Sequence, residues 1–330
     1  MVYSKFLSDY LETEYRADKE ETGMRADSFL AAHVGFFSRT RLKQKIQAGE
    51  SLLNGRRHSA SKRVREGDVF TVTWRKQDDR VPAPMSEILY EDEWLLAVMK
   101  PAGMAVHPTG RKQSGTLIQG IHEYFKENIL ESLQRDDSDF YPRLINRLDL
   151  FTSGIVLVAK HKEAFVAMQE LQIRKEYDKR YLTLVEGRLE PEEGSFDWPL
   201  AKDEQSEIYV KQTVREDGLA SVTHYHVREY LDGHTLAEAR PVSGRQHQIR
   251  VHFARAGHPV WGDLIYKDEA LFMKYLENDF NLEGLPPRHA LHAERMGFVH
   301  PFTGERLEIR AAVPEGLKAI IETIRKDTNG

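Results

Sequence analysis

The spacing of hydrophobic positions changes along the chain and predicts two kinds of structure. Before residue 50, Phe29, Leu30 and Val34, and then Leu42 and Ile46, recur at helical intervals and predict two short amphipathic helices. After residue 88, aliphatic or alternating runs bounded by turn residues predict strands. The predicted strands are LLAVM, GIVLVAK, YLTLVEG, SVTHYHV, TLAEARPV and RLEIRAAV, and helices are predicted over residues 117–125, 162–172 and 249–256.

The balance of these elements predicts the fold class. Strands outnumber helical crossovers, which argues against a doubly wound parallel sheet. We therefore expect an α+β fold with a mixed, largely antiparallel sheet and a central cleft. The amino-terminal helices, followed by predicted strands at residues 52–57 and 69–74, indicate a separate small α/β domain.

A polar, proline-interrupted stretch, QDDRVPAPM, has the composition of a short, stiff linker. The chain of 330 residues is long enough for one sizeable core and a smaller unit. We predict an acidic extension at residues 1–24, a small domain at 25–76, the linker at 77–85 and a large domain at 86–330.

The absence of cysteine excludes disulfides and thiolate metal sites and is typical of a reducing compartment. No apolar run is long enough to span a membrane, and the amino terminus lacks the apolar segment of a signal peptide. We therefore expect a cytoplasmic protein without a membrane partner. A monomer is the default expectation.

Charge is unevenly distributed. The whole chain carries a formal net charge of -5, but residues 25–76 hold twelve basic and four acidic side chains, a local net charge of +8. Such a basic segment is typical of RNA binding, although a solvated basic surface is the alternative. The second helix, with Ser38 as a candidate N-cap, supplies the candidate phosphate-binding residues Arg39, Arg41, Lys43 and Lys45.

One carboxylate stands out in the large domain. Asp149 lies in the loop NRLDLFTSG, directly before the aliphatic run from Ile155 to Val158, which predicts a buried strand. An acid at the end of a core strand can be shielded from water and still reach a ligand. The alternative is a structural loop cap or an ion pair with Arg147.

Five segments, spread in order from Ile88 to Pro314, together resemble the RluA-type pseudouridine synthases. They are the K-P-x-G-x-x-V-H-P turn at residues 100–108, the loop around Asp149, KRYLTLVEG, SGRQHQIRVH and the LHA and HPFTGE block. The family pattern H-R-L-D-x-x-T-S-G departs at one position, where Asn146 replaces histidine. Residues 25–72 also resemble a ribosomal S-four-type RNA-binding domain.

The resemblance implies an enzyme that isomerises uridine in RNA without a cofactor. It implies that Asp149 is the catalytic acid, that Arg250 pairs with it, and that Tyr181 lies near the flipped base. A core tyrosine is the alternative reading of Tyr181. By resemblance Arg147 contacts the displaced base, while the candidates for phosphate or ribose contacts are Arg245 and His247, for which a structural role is equally compatible.

Other functions fit the sequence less well. A noncatalytic RNA-binding or RNA-chaperone protein would use the same surfaces, and a glycoside hydrolase would need a second carboxylate that is not evident. His247 and His252 are five residues apart, the H-E-x-x-H pattern is missing, and no phosphate-loop or dinucleotide fingerprint occurs, so metal, ATP and NAD chemistry are not expected. The pairing of a docking domain with this catalytic type favours large-subunit ribosomal RNA over transfer RNA as partner. It leaves open whether Asp149 attacks the anomeric carbon or removes a ribose proton.

Overall fold

The computed structural model describes residues 2–6, 10–19, 21–34, 39–75, 85–107, 115–125, 128, 140–277 and 283–329. The chain divides into two compact units, a small amino-terminal unit and a larger unit that contains the described residues from 85 onward except residue 128, which belongs to the small unit. Of the predicted linker, only Met85 is among the described residues. The predicted N-cap Ser38 also lies outside them.

The small unit is an antiparallel sheet covered by two helices. The strand order is β1-β2-β5-β3-β4. Its elements are β1 (Val2–Phe6), β2 (Tyr10–Arg16), α1 (Ala26–Val34), α2 (Arg39–Ala48), β3 (Ser51–Leu53), β4 (Arg56–Arg57) and β5 (Val69–Arg75). The hydrophobic positions that predicted the two helices, among them Phe29, Leu30 and Leu42, are fully buried in its core.

Residues 1–24 differ from the predicted extension. Strand β2 pairs along its length with β5, and Tyr15, opposite Phe70, is buried. The acidic Glu14 lies exposed on the other face. Because side chains alternate between the faces of a strand, an acidic composition here reflects one solvated face rather than a separate tail.

The larger unit contains one long mixed sheet in the order β11-β14-β15-β10-β16-β9-β7-β6, with β17 paired to β16, β8 paired to β9, and a small separate hairpin, β12–β13. Its strands are β6 (Ile88–Glu91), β7 (Leu95–Lys100), β8 (Phe140–Leu144), β9 (Ser153–His161), β10 (Asp178–Glu186), β11 (Glu193–Asp197), β12 (Leu200–Lys202), β13 (Gln212–Val214), β14 (Val222–Leu231), β15 (His234–Pro241), β16 (Leu291–Val299) and β17 (Arg306–Arg310). Its helices are α3 (Leu117–Tyr124), α4 (Lys162–Ile173), α5 (Gln248–Arg255), α6 (Leu264–Lys267), α7 (Glu269–Glu277) and α8 (Glu315–Asn329).

The predicted α+β class is confirmed. Among the strands that the structure describes, β9 and β16 form the parallel pair of this sheet and the other pairs are antiparallel. Strand β9 lies between β7 and β16, and its residues Ile155 to Val158 have no exposed surface. A continuous aliphatic run is what a strand buried on both faces requires. The amino-terminal end of this central strand carries the loop with Asp149.

Candidate active site

The loop before β9 is held where β9 pairs with β16. Ser153 and Gly154 begin β9 and pair in parallel with His292 and Ala293 of β16. Gly154 has a φ of +119°, and a Cβ there would lie 2.3 Å from the carbonyl oxygen of Ala293. Glycine is therefore required for β9 and β16 to approach this closely, and it fixes the direction in which the loop leaves the sheet.

The carboxylate of Asp149 is bound by Arg250 of helix α5. Nη1 of Arg250 donates to Oδ2 of Asp149 at 2.8 Å, while its Nε and Nη2 donate to the two carboxylate oxygens of Asp263 at 2.6 and 2.8 Å. The Asp149 side chain is 25% exposed, whereas those of Arg250 and Asp263 are 3% and 1% exposed. Asp263 thus fixes the guanidinium from behind, and Asp149 presents its free oxygen to the cleft.

The local charges keep Asp149 ionised. Burial raises the pKa of this carboxyl, but His247, which is charged in the acidic range where the carboxyl titrates, together with the charge and the hydrogen bond of Arg250, outweighs burial, so the pKa of Asp149 lies well below the ordinary value. Nε2 of His247 lies 3.8 Å from Oδ2 of Asp149. Burial and the charge of Arg250 lower the pKa of His247 to about 4. The imidazole is therefore neutral at neutral pH, and the guanidinium supplies the positive charge.

Tyr266 orients the imidazole of His247. The backbone N–H of Gln212 donates to the Tyr266 hydroxyl oxygen at 3.1 Å, and the hydroxyl is 2.8 Å from Nδ1 of His247. With the Gln212 amide as its donor, the phenol is free to donate its own proton to Nδ1. The remaining proton of the neutral ring then lies on Nε2, on the side of Asp149.

Thr152 and Ser153 are anchored by the start of β16 and the segment directly before it. Oγ1 of Thr152 is 2.7 Å from Nε2 of His289, and Oγ of Ser153 accepts from Arg288 and is 2.8 Å from Nδ1 of His292. All five side chains are less than 10% exposed. These buried hydrogen bonds fix the carboxyl-terminal half of the Asp149 loop.

Asn146, which replaces the family histidine, anchors the other half of the loop. Its amide Nδ2 donates to the carbonyl oxygen of Ile155 at 3.1 Å, and its Oδ1 accepts from the backbone N–H of Leu157 at 2.7 Å. The carboxamide presents an N–H donor and a carbonyl acceptor side by side, as the backbone of a strand does, so Asn146 pairs with β9 like one more strand residue. Its role in the structure is to hold the loop.

Lys100 connects the loop to the neighbouring turn. Its fully buried ammonium donates to the carbonyl oxygens of Pro101, Met104 and Leu150 at 2.8, 2.9 and 3.1 Å. Burial lowers its pKa to about 7, partly offset by the charge of Asp149. The hydrogen bond to Leu150 fixes the backbone next to Asp149.

The loop opens into a cleft of about 840 Å³ within the larger unit. Tyr181 of β10 lines this cleft, and burial together with the charge of Asp149 raises the pKa of its hydroxyl. Arg147 and Arg245 also line the cleft and are exposed, whereas His247 lies 8% exposed beside Asp149. The structure therefore gathers Asp149, Tyr181, Arg250, Arg147, Arg245 and His247 around one cavity.

Two residues of the SGRQHQIRVH segment fix helix α5 to the sheet. Nε2 of Gln248 donates to the Val222 carbonyl oxygen and to Oγ1 of Thr223, while its Oε1 accepts from the Ser243 hydroxyl. His252 contacts Thr223 from the next turn, at 2.9 Å. These contacts point Arg250 towards the cleft.

The predicted phosphate-binding residues of the small unit fall into three groups. Lys43 is exposed. Lys45 is 7% exposed, and its ammonium donates to Glu50 and to the Thr73 carbonyl oxygen, so it stabilises the end of α2 instead of facing RNA. The side chains of Arg39 and Arg41 lie outside the described residues.

The sequence interpretation missed Asp263, Tyr266 and His289. A signal exists for the first, because Asp263 interrupts an otherwise apolar segment, PVWGDLIY. A buried, unpaired aspartate is costly, so an aspartate in such a segment predicts a buried cationic partner. Among the described residues, no cluster of histidine and acidic side chains has the arrangement of a metal site. In the same part of the chain, none of the helices combines the length and the apolarity that crossing a membrane requires.

Comparisons with known proteins identify the family of the chain. Residues 94–255 match the family model described as RNA pseudouridylate synthase. The Bacillus subtilis protein named uncharacterized RNA pseudouridine synthase YlyB is 34% identical over 319 residues, which cover 96% of this chain and 99% of that protein. Ribosomal large subunit pseudouridine synthase D of Xanthomonas campestris pv. campestris is 34% identical over 93% of this chain and 90% of its own length.

A further relative and one solved structure extend the match. Ribosomal large subunit pseudouridine synthase C of Pasteurella multocida is 33% identical over 93% of this chain and 92% of its own length. The structure of human RNA pseudouridylate synthase domain containing 1 superposes with a TM-score of 0.53 at 22% identity, covering 74% of this chain and 96% of that one, and supports the same fold. The chain therefore belongs to the RluA family of RNA pseudouridine synthases and is an isomerase.

Proposed function

We propose that this enzyme converts specific uridines of large-subunit ribosomal RNA to pseudouridine, with Asp149 as its catalytic carboxylate. The observation that carries the catalytic proposal is an ionised carboxylate, held by a buried arginine, with one side open to a cleft. The RNA target is inferred from relatives named ribosomal large subunit pseudouridine synthases C and D.

The reaction needs one carboxylate and no cofactor. The bond between N1 of uracil and C1′ of ribose breaks, the base turns, and C5 bonds to C1′; C5 loses its proton and N1 gains one. Positive charge develops on the ribose as the first bond breaks, and an ionised carboxylate stabilises such a centre. Asp149 supplies that charge, whether it attacks C1′ or removes a ribose proton.

Asp263 does not serve as a second catalytic acid in this proposal. Both of its oxygens accept from Arg250, and its side chain is 1% exposed. An inverting or retaining glycosidase needs two carboxylates that both reach the sugar. The arrangement of one open and one occupied carboxylate supports isomerisation over hydrolysis.

Tyr181 and Arg147 complete the proposed site. Tyr181 lines the cleft, and its hydroxyl has no hydrogen-bond partner among the described residues, so it is free to contact the uracil. Arg147 is exposed two residues before Asp149, and we propose that it steadies RNA from which the uridine has been extruded. Arg245 is proposed to contact phosphate and His247 the ribose. Asp149, Tyr181 and Arg250 come from one chain, so the proposal requires only a monomer.

The small unit is proposed to dock the RNA, in keeping with its S-four-type resemblance. Its cations divide into two groups. Arg25 pairs with Asp27, and Lys45 pairs with Glu50. In contrast, Lys43, Arg56 and Lys62 are exposed, and no described side chain forms an ion pair with them. Exposed cations without acidic partners are available for phosphates.

The salt dependence of RNA binding tests this docking role. The triple variant Lys43→Gln, Arg56→Gln and Lys62→Gln should weaken binding and reduce the slope of log K against log salt by about 2, because each phosphate contact contributes about 0.7–0.9 to the slope. The control variant replaces Lys162, Lys318 and Lys326 of the larger unit by glutamine. An unchanged slope in the first variant would make these cations a solvated surface.

Mapping of pseudouridines tests the RNA target. In cells without this gene, one or a few pseudouridines of large-subunit ribosomal RNA should be missing. The wild-type gene should restore them, and Asp149→Asn should not. If the missing sites lie in transfer RNA, the ribosomal target is wrong while the catalytic proposal stands. If no site changes in either RNA, both the catalytic proposal and the proposal of a ribosomal target fail.

A further inference from the structure

The most exposed aromatic side chain among the described residues lies at the edge of the cleft. Tyr209 is 79% exposed, whereas Tyr124 and Phe302 are 43% and 38% exposed. It belongs to the loop between β12 and β13 and lines the cleft that contains Asp149. Tyr209 has no part in the proposed catalysis.

This loop is firmly attached to the larger unit. Ile208, next to Tyr209, is 5% exposed and packs in an apolar cluster with residues of α6 and α7, including Leu264 and Phe272. Glu269 accepts hydrogen bonds from Ser206 and Lys211, which lie on either side of Tyr209 in the sequence. The ring of Tyr209 is therefore presented to solvent from a fixed backbone, which lowers the entropic cost of binding a ligand against it.

The surroundings of the ring indicate which kind of ligand it suits. The ammonium of Lys202 lies 3.8 Å from the centroid of the Tyr209 ring, and a cation beside an aromatic ring is common where bases stack. Glu207 lines the same rim and is exposed, and its charge disfavours a phosphate beside it. The face of a base, which carries no net charge, fits this position better than the RNA backbone.

Gln212 connects the loop to the turn before α5. Its Nε2 is 3.4 Å from Oε1 of Gln246, next to the exposed Arg245. The rim of the cleft therefore carries the ring of Tyr209 and, beyond the contact between Gln212 and Gln246, the cation Arg245, which is free to bind phosphate. An extruded uridine leaves unpaired neighbours, and proteins bind unpaired bases by stacking on aromatic side chains.

We propose that Tyr209 is a stacking platform for an unpaired base of the substrate RNA that flanks the target uridine, with Lys202 supporting the ring. The inference rests on the proposed action of Asp149 in this cleft, but not on ribosomal RNA as the target. Tyr209 acts in substrate binding and takes no part in bond cleavage.

Tritium release measures the effect. The C5 hydrogen of the target uridine leaves during the reaction. RNA that is labelled with [5-³H]uridine and isolated from cells without this gene therefore reports turnover of any RNA substrate by the enzyme. Tyr209→Ala should raise KM about 5- to 150-fold, the range for loss of one stacked base, with kcat within about twofold of wild type. Tyr209→Phe and Tyr209→Trp should remain close to wild type, because both keep an aromatic face. Lys202→Gln should raise KM less than Tyr209→Ala.

Tyr124→Ala is the matched control, because Tyr124 is an exposed tyrosine of the same unit that does not line the cleft. A KM for Tyr209→Ala equal to that of wild type overturns the proposal. A Phe variant as impaired as the Ala variant also overturns it, because the effect would then belong to the hydroxyl. A fall in kcat without a change in KM overturns it too. Separating ribosomal from transfer RNA before the measurement shows independently whether the proposed target is correct.

Discussion

Asp149→Asn is expected to lower kcat by more than about a thousandfold. Removal of a single neutral hydrogen-bond donor at a centre where charge develops costs about 10²–10³ in kcat, and this substitution removes a full charge. Shape is preserved, because the asparagine carbonyl can still accept from Nη1 of Arg250. Tritium release from RNA of gene-deleted cells, compared at saturating RNA, measures the change.

Folding and RNA affinity separate a catalytic role for Asp149 from a structural one. Arg250 retains both hydrogen bonds to Asp263 in the variant, so the melting temperature should stay near that of wild type. The RNA dissociation constant should change by less than about threefold, a difference below about 0.7 kcal/mol. Turnover within tenfold of wild type, or a variant that no longer folds, would contradict the catalytic assignment.

The pH profile of the wild-type enzyme provides an independent check of Asp149. A carboxyl whose folded pKa is lowered stays ionised until the pH falls through that folded value. His247, with a pKa of about 4, is also unchanged between pH 7 and 5. The ratio kcat/KM should therefore not fall with the titration of either group in this range. A decline with an apparent pKa near 6 that disappears in a His247 variant would show that a charge on this imidazole matters.

The fold could be predicted well where hydrophobic spacing is simple. The run from Ile155 to Val158 predicts a buried strand because every side chain in it is aliphatic, and the structure buries all four. The sequence does not predict strand β16, since Glu294 and Arg295 interrupt its hydrophobic pattern. Both form ion pairs on the sheet surface, Arg295 with Asp178 and Glu294 with Arg228. Cross-strand pairs of this kind cannot be read from one segment alone.

The site could be predicted only as far as the family resemblance reaches. It placed Arg250 beside Asp149, and the structure brings the two together across 101 positions of sequence. The support for the loop was missed, because Thr152 and His289 are 137 residues apart and carry no spacing signal. Likewise, the burial of Lys45 depends on Glu50 and on the Thr73 carbonyl, which only tertiary structure brings near. A list of basic residues cannot separate paired cations from exposed ones.

Arg250→Met is expected to destabilise the protein by about 3–5 kcal/mol, the usual cost of removing one member of a buried ion pair. The methionine fills part of the space but leaves Asp263, which is 1% exposed, without its two hydrogen bonds. Chemical denaturation measures the loss. Arg250→Lys should recover only part of it, because an ammonium keeps the charge but cannot bridge two carboxylates in the plane of a guanidinium.

The double variant Arg250→Met with Asp263→Asn separates stability from catalysis. Neutralising Asp263 removes the unpaired buried charge, so stability should return most of the way to wild type, while Asp149, 25% exposed, remains solvated from the cleft. Turnover should stay low at neutral pH, because Asp149 has lost the cation that orients it and burial then raises its pKa. Residual activity should therefore increase as the pH is raised through this shifted pKa, whereas wild type shows no such rise. A double variant that regains both stability and turnover would show that Arg250 serves only to neutralise Asp263, and Asp149 would then need another source of positive charge.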